Sequence, residues 1–128
     1  MNLLHLFRII AAMIQVESGG NECAYNPTEQ AAGCLQIRPI MVAEAERLGI
    51  DFTLADRWDC NKSVRFFIEL QMVKKRTSYE EMARCWNGGG NGMQMEATAV
   101  YWEKVLKNVN ALASDWDRYY FSGIIKNT

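Results

Sequence analysis

LLHLFRIIAAMIQVESGGN, residues 3–21, is the stretch on which the fold of this chain turns. At about 100° per residue, His5, Arg8, Ala12 and Gln15 fall along one side of a helix over roughly residues 3 to 17, and Leu6, Ile10, Met13 and Glu17 line the opposite side. The same arithmetic sets Glu17 about 160° from the centre of the polar stripe, on a face that otherwise reads as core. A carboxylate there is expected to be partly desolvated, which disfavours its charged form. Ser18-Gly19-Gly20 then ends the helix.

Beyond that helix, Asn26-Pro27-Thr28-Glu29-Gln30-Ala31-Ala32-Gly33 concentrates turn formers. It predicts an irregular loop or small hairpin, with a short extended piece over residues 34–37. Pro39 suits the first turn of a second helix running to Leu48, with Gly49 as its stop. Asn61 or Asp59 is placed to cap a third helix over residues 62–75, whose Val64, Phe67, Ile68, Leu70 and Met72 supply apolar contacts. Ser78, with Glu81 three residues on, has the signature of a capping box opening a fourth helix, which Gly88-Gly89-Gly90 ends. Helical spacing returns over residues 93–112. Beyond it, Trp116, Tyr119, Tyr120 and Phe121 predict either a tail docked on the domain or a partner surface. The pattern is that of a mainly α domain with a small loop or hairpin region, uninterrupted by repeats, linkers or low-complexity runs.

The chain's 128 residues, 49% of them hydrophobic, suffice for one domain with a real core and are too few for two of ordinary size. Residues 1–128 therefore read as a single domain. Fourteen basic residues against fifteen acidic ones provide no overall positive field for a polyanion, which argues against nucleic acid as a partner. Cys23, Cys34, Cys60 and Cys85 contain no Cys-x-x-Cys pair and His5 is the sole histidine, so no metal site is expected. Two disulfides in an oxidising compartment and four buried thiols in a reducing one both fit the cysteine count.

Leu3-Leu4 and residues 9–14 are apolar enough to raise the question of a secretion signal. Arg8 interrupts the run, no small-x-small cleavage site follows it, and it leads straight into Glu17, so a signal peptide is not expected. The run is also shorter than the ~20 residues of a membrane span, so stable membrane insertion is not expected either.

Glu17-Ser18-Gly19-Gly20-Asn21, Ala31-Ala32-Gly33-Cys34-Leu35-Gln36-Ile37 and Cys85-Trp86-Asn87-Gly88-Gly89-Gly90 resemble, in order and spacing, the three signatures of the soluble lytic transglycosylase (SLT) family of the lysozyme-like superfamily. Ala97-Thr98-Ala99-Val100-Tyr101-Trp102 is similar to that family's tyrosine-bearing final motif, and residues 61–70 are similar to its middle helix. The resemblance covers roughly residues 9 to 109 and leaves residues 110–128 as an aromatic tail. The chain departs from the family pattern at Cys34-Leu35, where Met or Leu-Met is usual, at Cys85-Trp86-Asn87, where Ala-Tyr-Asn is usual, and at Ala97, where an acidic residue is usual. These are mostly packing positions and bear on subfamily more than on activity.

The resemblance implies an α+β lysozyme-like fold with its hairpin region beside an active-site cleft. It also implies an enzyme that cleaves the β-1,4 bond between N-acetylmuramic acid and N-acetylglucosamine in peptidoglycan without a cofactor. Such cleavage requires protonation of a poor leaving oxygen, and a glutamic acid against an apolar wall can hold that proton near neutral pH. By the resemblance, Glu17 is that acid, and the product ends are 1,6-anhydromuramic.

A hydrolytic muramidase is the alternative, and it needs a second carboxylate about 5 to 10 Å from the first. In animal-type lysozymes, which share a similar Glu-Ser and Gly-x-Leu-Gln-Ile pattern, an aspartate stands two residues before that glycine; here the position is Ala31. Glu29 shares a face with Ala31 if the segment is extended, which makes it the possible second carboxylate. A third reading is a non-catalytic peptidoglycan-binding or assembly module that keeps the fold without the activity.

Each remaining site residue has a plain reading beside the one the resemblance implies. Ser18 is either a helix-ending residue or a hydrogen-bonding neighbour of the acid. Gln36 is either an exposed strand residue or a contact to a substrate amide, and the motif favours the contact. Asn87 is either a residue closing a helix or a sugar contact, and the motif favours the sugar. Tyr101 is either aromatic core or a hydrogen-bond partner that tunes Glu17. Gly88-Gly89-Gly90 either lets backbone approach the glycan or simply turns. Trp58, Trp86 and Trp102 are core by default and sugar-stacking rings otherwise. The implied setting is the bacterial cell wall, with glycan strands as the partner, and the compact layout fits a phage-encoded or virion-associated enzyme. The sequence identifies no protein partner.

Overall fold

The computed structural model describes residues 2–112. Among them, five α-helices and one two-stranded antiparallel sheet make a mainly helical chain with a small hairpin, as the hydrophobic periodicity predicts. None of the described helices is long and apolar enough to cross a membrane. The aromatic segment from Trp116 to Phe121 lies outside the described residues. The chain divides into two compact units, one formed by Glu17–Lys75 and the other by residues 2–16 with 76–112.

Helix α1 (Leu3–Ser18) forms where the sequence places it, but its faces are rotated. Its buried set is His5, Leu6, Ile9, Ile10, Ala12 and Met13, and its outward line is Leu4, Phe7, Ala11 and Gln15. The expected polar stripe of His5, Arg8, Ala12 and Gln15 is therefore corrected: His5 and Ala12 face inward. A broad apolar face at i, i+3, i+4 and i+7 outweighs one imidazole, whose body is largely apolar. Glu17, four residues past Met13, is half-buried. Gly19 and Gly20 follow with φ of 64° and 86°, a left-handed backbone that only glycine adopts without strain.

In the unit of Glu17–Lys75, β1 (Tyr25–Asn26) pairs with β2 (Ala31–Ala32) in the register Tyr25↔Ala32 and Asn26↔Ala31. Residues 34–37 do not continue as an extended piece. Gly33 to Gln36 make a second tight turn, closed by reciprocal bonds of 3.1 and 3.0 Å between Ala32 and Ile37, with Gln36 at φ 50°. Helix α2 (Pro39–Arg47) has proline in its first turn and gives way at Leu48 before Gly49.

A short 3-10 turn, Ala55–Trp58, leads into α3 (Cys60–Val73). This helix starts two residues ahead of expectation because Asp59 caps it, its carboxylate accepting the Lys62 N–H at 3.0 Å. Its inner stripe is Ser63, Phe66, Phe67, Leu70 and Gln71, which leaves Met72 72% exposed instead of in the core. Phe66 stacks on Phe52 with ring centroids 4.4 Å apart.

In the other unit, α4 (Tyr79–Gly88) opens on Ser78, whose hydroxyl accepts the Glu81 N–H at 3.0 Å, as the capping signature predicts. It packs on α5 (Glu96–Leu112). Helix α5 begins three residues later than the spacing suggests, behind a 3-10 turn at Gly92–Gln94. Arg84 Nη2 donates to the carbonyls of Met93 and Met95 at 3.2 and 3.1 Å. The Met95 carbonyl also accepts the Ala99 N–H at 3.4 Å, the first bond of the α5 ladder.

Candidate active site

Glu17 stands at the last turn of α1, between the buried apolar residues before it and the glycine pair after it. Its neighbour Ser18 ties the helix end down. The Ser18 hydroxyl donates to the Cys34 carbonyl at 2.7 Å, and its oxygen accepts the Gly20 N–H at 3.2 Å. Ser18 is thus a helix-ending residue that also joins the acid's helix to the turn of residues 33–36.

That turn is held by several independent bonds. Gln36 Nε2 donates to the carbonyls of Ala24 and Gly33 at 3.1 and 3.0 Å, so the amide nitrogen serves the protein's own backbone. This differs from the exposed strand residue of the sequence reading, and it leaves the side-chain oxygen as the Gln36 atom suited to a ligand N–H. Gly33, at φ 83°, donates its N–H to Ala24 at 2.8 Å and lies directly against the Arg57 carbonyl, leaving no room for a Cβ. Arg57 itself is buried. Its Nη1 donates to Gln30 and Ile37 carbonyls at 2.8 and 3.0 Å, and its Nε donates to Leu54 at 3.0 Å. One cation therefore clamps both ends of the segment from the hairpin turn to Ile37.

A disulfide joins Cys34 to Cys60 at the start of α3, while Cys23 is an exposed thiol and Cys85 a buried one. Neither two disulfides nor four buried thiols describes the chain.

Glu29 is exposed in the four-residue turn between Asn26 and Ala31. It does not share a strand face with Ala31, because the strand begins only at Ala31 and Gln30 between them has φ 56°. Ala31 itself is buried.

Asn87 and Tyr101 belong to the other unit. Asn87 is half-buried next to the last residue of α4, and Tyr101 is buried on α5. The six expected site residues therefore divide, with Glu17, Ser18, Glu29 and Gln36 in one unit and Asn87 and Tyr101 in the other.

The glycines after Asn87 have a packing role that the sequence reading did not include. A Cβ on Gly88 would meet Thr98 and Met95, and one on Gly92 would meet the Arg84 carbonyl. Gly89, at φ 82°, caps α4 through its N–H to Cys85 at 2.8 Å. Trp86 and Trp102 are core, whereas Trp58 is 42% exposed and pairs with Tyr25.

Two features escaped the sequence reading. Arg57 carries no local signal that separates it from a surface arginine. The Cys34–Cys60 pairing is one of several that four cysteines allow. Among the described residues, no group of three or more His, Cys, Asp or Glu side chains is arranged to hold a metal ion. No protein-family model matches the chain, and no curated protein or solved structure matches it either.

Proposed function

We propose that this chain cleaves the glycan strands of peptidoglycan at the β-1,4 bond between N-acetylmuramic acid and N-acetylglucosamine, as a lytic transglycosylase with Glu17 as acid and base. The observation that carries the reading is the setting of Glu17, a half-buried carboxylate on a helix end bonded through Ser18 to the turn that bears Gln36. Glycosidic cleavage asks for this kind of element, a proton donor at the edge of an apolar face on a rigid support.

In the proposed reaction, Glu17 first gives its proton to the glycosidic oxygen as the bond from that oxygen to C1 of N-acetylmuramic acid breaks. The resulting carboxylate then takes the proton of the same sugar's C6 hydroxyl while that oxygen bonds to C1. A 1,6-anhydro sugar leaves, Glu17 is protonated again, and no water is consumed. The tethered nucleophile brings a high effective concentration, so no second group is required to activate one. Gln36, in the same unit as Glu17, would hold a substrate amide group.

The exposed turn position of Glu29 and the burial of Ala31 favour this lyase over a two-carboxylate hydrolase. The disulfide suits a protein that works in an oxidising compartment, which supports action at the wall.

The test is incubation of wild type and Glu17→Gln with purified sacculi, followed by mass analysis of released muropeptides. Anhydro products from wild type, reduced at least 100-fold in Glu17→Gln, are expected from the usual weight of general acid–base catalysis. Reducing ends heavier by one water would replace the lyase with a muramidase. Tight sacculus binding without any product would replace both with a binding module.

A further inference from the structure

Trp58 and Tyr25 lie side by side in the unit of Glu17–Lys75, with ring centroids 5.9 Å apart and planes tilted by 35°. They remain open to solvent, at 42% and 49% exposure respectively. At this separation and tilt the rings touch without stacking face to face, so the pairing does not consume their faces.

A single exposed aromatic ring is ordinary. The mounting of this pair is not. Residue by residue, the chain around Trp58 is fixed: Arg57 before it is buried and bonded to three carbonyls, Asp59 after it caps α3, and Cys60 is disulfide-linked to Cys34. Tyr25 sits in β1 opposite Ala32, and the carbonyl of Ala24 before it takes both the Gly33 N–H and the Gln36 amide. Both rings therefore ride on one bonded frame, and the same frame receives the Ser18 hydroxyl at Cys34, one residue from Glu17. Rings held in place before binding lose little conformational freedom when a ligand arrives, so the contact keeps more of its free energy.

We propose that Tyr25 and Trp58 form a stacking platform for one N-acetylated hexosamine ring of a glycan strand, a binding subsite distinct from the acid chemistry of Glu17. The inference rests on the glycan-cleaving reading and adds to it. The C–H bonds on the flat side of a pyranose carry partial positive charge, and the negative face of an aromatic quadrupole attracts them while excluding water from both. Size also points to a sugar. Two half-exposed rings of this kind offer roughly 200 Å², whereas a specific protein partner covers about 800 Å² on each side.

The experiment places Tyr25→Ala, Trp58→Ala and Trp58→Phe in the Glu17→Gln protein, so that binding is read without cleavage, and measures pelleting with intact sacculi. Both alanine variants are expected to weaken binding at least fivefold with an unchanged circular-dichroism spectrum, and Trp58→Phe is expected to keep most of it. Folded alanine variants that bind as the parent does would overturn the platform. So would a concentration-dependent dimer lost in Trp58→Ala with sacculus binding intact, since the rings would then serve a second copy of the chain. Should Trp58→Ala fail to fold, Tyr25→Ala on its own strand decides the matter.

Muropeptide release by the otherwise wild-type protein separates the two readings. Cleavage with platform variants that bind normally removes the platform and leaves the enzyme, whereas platform-dependent binding without cleavage removes the enzyme and leaves the platform.

Discussion

At the scale of single residues, the candidate site depends on backbone contacts that tolerate no added atom. Gly33 combines φ 83° with direct contact against the Arg57 carbonyl, so Gly33→Ala faces both a disfavoured backbone and a clash with main chain that cannot swing aside. The substitution is expected to destabilise the chain by about 3 kcal/mol or more, within the range of overpacking plus strain. Urea unfolding would measure it, and a loss under about 1 kcal/mol would mean that the turn has another way to pack. The half-buried position of Glu17 was legible in the sequence, because helical spacing sets it four residues past the buried Met13, although its selection as a candidate acid came from the motif resemblance and not from that position alone. Gln36 and Arg57 were only partly so or not at all. Beside one carbonyl three residues away, each bonds carbonyls twelve to twenty-seven residues away, and no local pattern encodes such a pairing. Glu29 misled for a related reason: alternation places a residue on a face only if the chain is extended there, and Gln30 breaks the extension.

At the scale of elements, helices read well because their signals are local. Ser78 with Glu81, Pro39 and Gly49 each marked an end that the structure keeps to within a residue or so. Ser78→Ala removes the bond to the Glu81 N–H and is expected to cost about 1 kcal/mol, visible as a lowered melting temperature, with Ser78→Asp close to wild type. Helix faces and starts read less well. Met72 turned outward and α5 started late because Phe66 and Arg84, which decide those positions, act through tertiary contacts.

One ion pair between elements makes a pH-dependent prediction. Glu44 on α2 bonds Arg47 within its helix and Lys74 at the end of α3, and the Arg47 hydrogen bond above all, with Lys74 next, holds its carboxyl at about 2 against the ordinary 4.5. The folded chain thus binds fewer protons than the unfolded chain between these values. The pair's stabilisation is complete above about pH 4.5 and fades as pH falls through about 2. With about a third of the Glu44 side chain exposed, solvent screening caps the effect at about 1 kcal/mol. Wild type should therefore exceed Glu44→Gln in unfolding free energy by up to that amount at neutral pH, and the two should converge near the acid end. A constant gap across the range would assign the difference to something other than ionisation.

At the scale of the whole molecule, the chain relies on a covalent tie as well as on its core. The Cys34–Cys60 bond closes a loop of 26 residues, and this loop includes α2, the Ala55–Trp58 turn and every bond that Arg57 makes to Ile37 and Leu54. In the chain-entropy account, a closure of that length removes about 3.5 kcal/mol of freedom from the unfolded state. For a domain of ordinary stability, 5–15 kcal/mol, that is a large fraction. Cys34 also lies in the turn that accepts the Ser18 hydroxyl, so loosening it would release the helix end that carries Glu17. Reduction should therefore act on stability and on activity together. Dithiothreitol, or the Cys34→Ser, Cys60→Ser pair, is expected to lower the melting temperature by roughly 10 °C or more, given a few degrees per kcal/mol for a domain of this size. Muropeptide release should fall at temperatures where the reduced protein is still folded. The Cys23→Ser variant controls for the exposed thiol, which lies outside the tie and should change neither readout. If reduction lowered the melting temperature but left release untouched below it, the disulfide would serve the fold alone, and the turn of residues 33–36 would be held adequately by Arg57 and Gln36.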